Sequence, residues 1–230
     1  MTARTGIAMT ETLKNAALIR LMSWMSPSFP VGAFAYSSGL EAAIHCKRVC
    51  DAEAFETWLA DLLAFGQGWN DAVLMAESWR RGENGDLGAL MELGEAMASS
   101  AGRHRETMNQ GAAFLEAAAA WPHPRLAELG PRCPLPVAAG ATCAIHGLPL
   151  EASISAYLQA YVSNQIQAAM RLMQLGQQEG VRILARTEAA IATAASQAAR
   201  SDLDALGGPA ILAEIAAMQH ETLRTRLFRS

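Results

Sequence analysis

Lysine is almost absent from this chain: of its 18 basic residues, 16 are arginine. Charged side chains of either sign fill only 17% of the 230 positions, the net charge is −4, and no stretch concentrates basic residues. That excludes the basic footprint by which proteins hold nucleic acid. Apolar runs are short as well, none reaching the roughly 18 residues of a membrane span. The opening MTARTGIAMTETLKN lacks the apolar segment of a secretory signal. A cytoplasmic protein is therefore expected, with Cys46, Cys50, Cys133 and Cys143 as reduced thiols.

Catalytic and cofactor patterns are missing too. The stretch PSFPVGAFAYSSGLE (27–41) carries two glycines and a serine pair. It has no Lys-Ser/Thr after the glycines and no strand leading into it, so it is not a phosphate loop. Gly32 and Gly39 are separated by AFAYSS, which rules out a G-x-S-x-G nucleophile turn. Ser37 and Ser38 read instead as helix-capping residues. Cys46 and Cys50 would share a helical turn beside His45, a pattern open to a soft cation. With no second ligand pair nearby, small buried apolar side chains are the expected role. Cys133, Cys143 and His146 have no zinc spacing. The sequence assigns no catalytic, cofactor-binding or metal residue.

What remains is a hydrophobic content of 51% and a mean hydropathy of +0.12, enough to fill a substantial core. The surplus apolar surface implies either a multi-subunit assembly or merely a high alanine count, and composition leaves both open. Helical periodicity dominates. A first helix starts at Asn15 and ends before Pro27. Ser38 and Glu41 read as a capping box opening a second helix that runs to about Arg48. Asp51 caps a third with Phe55, Trp58, Leu59, Leu62 and Leu63 inward, stopped by Gly66 and Gly68. Helices are expected near 70–81, 87–100 and 103–119. An ordered proline-rich crossover follows at 121–136, and further helices near 137–147, 151–175, 178–200 and 210–219. The expected architecture is an all-α, single-domain bundle of about nine or ten helices, with 1–14 and 220–230 as flexible ends.

Three stretches carry more. Ser26 through Glu41 follow a Ser-Pro-x-x-Pro-Val-Gly-x-Phe-x-Tyr-Ser-x-Gly-Leu-Glu run, and they are joined by AYLQAYVSNQIQAAMRLMQLGQQEG (156–180) and MQHETLRTRLFRS (218–230). Together these resemble the urease accessory protein UreF family, from Leu18 to Ser230. The resemblance implies an all-α, non-enzymatic scaffold, a homodimer that binds the UreD/UreH accessory protein. With it, the scaffold recruits the nickel-carrying GTPase UreG to apo-urease, couples the GTPase cycle to nickel release and helps form an internal route for nickel. The proline–glycine corner becomes a structural and interface element. Pro27, Pro30 and Gly32 set its path, Phe34 and Tyr36 pack it, Ser37 caps the next helix, and Glu41 faces the partner or the nickel route. Arg171 lies in a matched run, Arg171-Leu-Met-Gln-Leu-Gly-Gln, in which Gln174 replaces the family's proline. The long helix is therefore expected to continue past the family's kink. Near the end, Arg224-Thr225 stands where relatives have Tyr-Ser. In the tail, His220, Glu221, Arg226, Leu227, Phe228 and Arg229 are expected to bind the partner, Phe228 and Leu227 filling an apolar site there. Alternatives are direct nickel carriage by His and Cys side chains and an α-helical hydrolase using Ser37 or Cys46.

Overall fold

Strong helix formers and scarce β-alternation leave the helix as the only regular element this sequence supports. The computed structural model describes residues 15–208 and 210–230. Among them there is no strand, and the chain is all-α as expected. Residues 15–24 form α1. Ten helices follow: α2 (Leu40–His45), α3 (Ala52–Ala64), α4 (Gln67–Arg81), α5 (Gly88–Ala96), α6 (Ala101–Ala118), α7 (Pro124–Leu129), α8 (Leu135–Ile145), α9 (Leu150–Leu172), α10 (Gln177–Ala198) and α11 (Ile211–His220). The expectation for 1–14 lies outside the described residues.

The core is built around α8. Its sequence LPVAAGATCAI has no polar face, and residues Pro136 through Ala144 are all buried. Small side chains let neighbours come close: a Cβ on Gly140 would stand 2.3 Å from the Met75 carbonyl oxygen of α4. On α6, a Cβ on Gly111 would stand 1.9 Å from the Cys133 carbonyl oxygen. Helix α8 thus wedges between α4 and α6, while α10 lies against α9 and α3.

Several local expectations hold. The Asp51 carboxylate accepts from Ala54 N at 2.8 Å, and Phe55, Trp58, Leu59, Leu62 and Leu63 are buried. The proline-rich crossover is ordered: α7 starts at Pro124, Leu129 is buried, and Trp121 sits edge-on to Trp24 with ring centroids 5.6 Å apart.

Others need correction. Ser38 and Glu41 do not form a capping box, because Gly39 caps α2 without a side-chain bond and both side chains are engaged elsewhere. Helix α2 ends at His45, closed by Lys47 in a left-handed conformation (φ 57°) and by Arg48 N donating to Ala43 O. Cys46 and Cys50 therefore lie beyond the helix and are exposed rather than buried. Gly68 lies within α4 and stops nothing. The helix expected over 87–100 ends at Ala96, because Ser100 Oγ accepts from Arg103 N and starts α6. Helix α9 stops at Leu172 even without proline, since Met173 turns to an extended conformation (φ −138°, ψ 171°).

Candidate functional site

The corner owes its path to two positive-φ glycines. Gly32 (φ 72°) leads into a 3-10 turn at Ala33–Ala35. Gly39 (φ 87°) leads into α2, with no room for a side chain because a Cβ would meet Ala217 N at 2.8 Å. Between them, α9 secures the main chain. Asn164 Nδ2 donates to Tyr36 O (3.2 Å), Gln165 Nε2 to Ser37 O (3.2 Å) and Arg171 to Phe34 O (2.9 Å). Tyr36 is buried and its hydroxyl accepts from Asn109 Nδ2 at 3.3 Å.

The tail docks on this corner. Beyond α11 it has no regular structure, yet it is packed rather than loose. Ser37 N donates to Ser230 O (3.1 Å), Arg229 N donates to Ala35 O (2.8 Å), and the Ser37 hydroxyl also donates to Ser230 O. Glu41 fastens it most firmly. Its carboxylate accepts from Leu227 N (2.7 Å), Phe228 N (3.0 Å) and His220 Nε2 (2.9 Å), with both side chains of the Glu–His pair buried. Glu221 accepts from Gly102 N at 3.0 Å.

Expectations for three residues are thereby revised. The tail's Phe228, expected to fill a partner's site, is 4% exposed within its own chain, with the Arg171 guanidinium 4.4 Å from the centre of its ring. Phe34, expected to pack the corner, is 74% exposed. Glu41, expected to face a partner or the nickel route, is buried and its carboxylate is engaged by the tail. Pro30, Arg171, Arg226, Leu227 and Arg229 are exposed around the lock.

Beneath the corner lies a cavity of about 480 Å³. Its walls are apolar toward Trp24, Met25, Val31 and Phe114, and polar toward α4, α6 and α9. On the polar side Arg103 and Glu106 form a buried ion pair, joined by Ser38, which donates to Glu106 at 2.9 Å, and by the Ser230 hydroxyl. Burial opposes the Arg103 charge, but Glu106 and Asp71 more than offset it and hold its pKa above the ordinary value. Asp71 accepts from the Tyr157 hydroxyl at 2.8 Å. Burial raises its pKa to about 6 against the opposing pull of Arg103 and Tyr157. Asp71 retains some accessible surface and lines the cavity. Burial likewise pushes the Tyr157 and Tyr161 hydroxyls up.

The sequence reading missed Asp71 and Tyr157. A usable signal existed for the ion pair: Arg103 and Glu106 stand at i, i+3, and Glu106, Gln110, Phe114 recur at i, i+4 on one face of α6. Cys46 Sγ lies 3.9 Å from Gln219 Oε1 and Cys50 Sγ 3.6 Å from Asp51 Oδ2. Among the described residues no group of three or more His, Cys, Asp or Glu is placed to hold a metal ion, and no helix is long and apolar enough to cross a membrane.

The chain is similar to known proteins over nearly its whole length. The UreF family model matches residues 49–188. The chain is 52% identical over 223 residues to the urease accessory protein UreF of Mesorhizobium japonicum, covering 96% of this chain and 100% of the relative. It is 51% identical over 218 residues to that of Agrobacterium fabrum (94% and 97% covered) and 49% identical over 217 residues to UreF 1 of Brucella suis (94% and 95% covered). A match of this extent means that the chain belongs to the UreF family.

Proposed function

We propose that this chain is a urease accessory protein that acts as a non-enzymatic scaffold in nickel insertion. In this reading it binds a UreD/UreH-type accessory protein, and the pair recruits the nickel-carrying GTPase UreG to apo-urease. The cargo metal is nickel. The observation that carries the reading is the composition of the surface around the lock: Phe34 and Leu227 expose apolar side chains, and Arg226 and Arg229 flank them. The two segments are joined, since Arg229 N donates to Ala35 O and Leu227 N to the Glu41 carboxylate. An apolar centre ringed by arginines on a fixed backbone is the composition of a protein-binding hot spot. Membership of the UreF family supports this choice of partner.

Phe34 and Leu227 make no side-chain hydrogen bond, so each is replaceable without unlocking the tail. Phe34→Asp and Leu227→Asp should each weaken capture of the UreD/UreH-type partner at least tenfold, with circular dichroism unchanged. Undiminished capture by both variants would overturn the assignment of this face. Direct nickel carriage is the second reading. Stoichiometric tight nickel binding by the isolated chain, lost on substitution of the exposed Cys46 and Cys50, would favour it over scaffolding.

A further inference from the structure

Phe228 belongs to two structures at once. It is held by the tail's anchorage to Glu41, and it is also part of the wall of the 480 Å³ cavity. The outer rim of that cavity is formed by exposed residues of two elements: Pro27 and Phe34 of the corner, and Gln167 and Arg171 of α9. Arg171 spans the gap between them, donating to the Phe34 carbonyl at 2.9 Å while its guanidinium covers the Phe228 ring at 4.4 Å.

We infer that residues 226–230 are a removable lid on this cavity, with Phe228 as the plug and Arg171 as the crossbar that holds it. Three features support the inference. The segment has no helix or strand of its own, so lifting it breaks no regular element. Its anchorage is polar, resting on Glu41, Ala35, Ser37 and Glu106, and water or a binding partner can replace such bonds on opening. One side of the chamber below carries polar groups, Asp71, Gln110 and Tyr161 among them, that can hydrogen-bond solvent when it enters. A cover of one aromatic ring and one guanidinium, held by replaceable polar bonds, suits opening and closing better than it suits a permanent core. Access of small solutes to the chamber then depends on whether the tail is docked.

The test places a reporter thiol under the lid. Ala168 lines the cavity one turn before Arg171 and is 2% exposed. Ala168→Cys is made with Cys46→Ser and Cys50→Ser, and labelled by methyl methanethiosulfonate, a small uncharged thiol reagent. Buried Cys133 and Cys143 remain as internal monitors of global unfolding. With the lid intact labelling should be slow. Adding Phe228→Ala, or deleting 226–230, should accelerate labelling of the reporter thiol at least tenfold while Cys133 and Cys143 stay unlabelled, and Leu227→Ala should leave the rate unchanged. Equal rates in all variants, or a reporter thiol that reacts only together with Cys133 and Cys143, would overturn the lid.

Discussion

A carboxylate that accepts from two main-chain amides and an imidazole cannot be truncated without orphaning all three. Glu41→Ala leaves Leu227 N, Phe228 N and His220 unpartnered at a buried site, a loss of about 3 kcal/mol. The tail should detach first, and its exposed Arg224, Arg226 and Arg229 supply the readout. Trypsin is expected to clip there at least tenfold faster in Glu41→Ala than in the parent, before the helical body is cut. Gly32 fails by a different route. Nothing lies within 4 Å of where its Cβ would be, so Gly32→Val meets no clash, but its φ of 72° is strained for a β-branched residue. The expected loss is about 1–2 kcal/mol, read as a lower Tm. Asp71 carries a pH dependence. Its pKa in the folded chain is about 6, above the ordinary 3.8, so the folded state holds a proton that the unfolded state has released between these values. Stability therefore falls as pH rises from about 4 to about 6 and stays lowered above that. Asp71→Asn keeps the neutral form and can still accept from Tyr157. It should match the parent at pH 4 and exceed it at pH 7.5 by on the order of 2 kcal/mol in urea unfolding.

Among the elements, α8 and α6 are placed by absent side chains. Gly111→Ala would put a methyl group 1.9 Å from the Cys133 carbonyl and 2.9 Å from Leu135 N, both backbone atoms that cannot swing aside. It should cost about 3 kcal/mol or more, whereas an exposed alanine exchange would be nearly neutral, and a urea midpoint distinguishes the two. The helices themselves were legible, because periodicity and caps such as Asp51 are local. The ends were less so. The stop of α9 at Leu172 follows from tertiary placement, Gly180 of α10 lying close to Ile166 and Met170, and no proline announces it. The candidate site was half legible. The corner and tail residues stand out in the sequence, but their mutual docking joins positions nearly 190 apart, as in Leu227 to Glu41. That pairing also explains why Ser38 and Glu41 look like a capping box without being one. The same serine and glutamate serve partners on α6 and the tail, and local pattern cannot distinguish a cap from a long-range bond. Asp71 was illegible for the same reason: a single acid on an amphipathic helix becomes unusual only when Tyr157 and Arg103 close over it.

At the scale of the molecule, the exposed large apolar side chains are unevenly placed. Leu18, Ile19 and Met22 share the outer side of α1, and Ile211, Leu212 and Met218 that of α11. Neither set is needed inside: α11 already packs on α2 through Ala216 and Ala217, and α1 is anchored by Leu21 and Trp24. A helix that buries one face and leaves a second apolar face in water is matched to another surface. The chain of 24.5 kDa should therefore sediment at twice its mass at micromolar concentration. Two charge pairs test which face is used, Ile19→Glu with Met22→Glu and Leu212→Glu with Met218→Glu. One of them should yield a monomer with unchanged helical content, because glutamate is tolerated on an exposed helix and expelled from an apolar interface. A parent that sediments as a monomer, or a dimer indifferent to both pairs, would show that these faces do not hold two copies together.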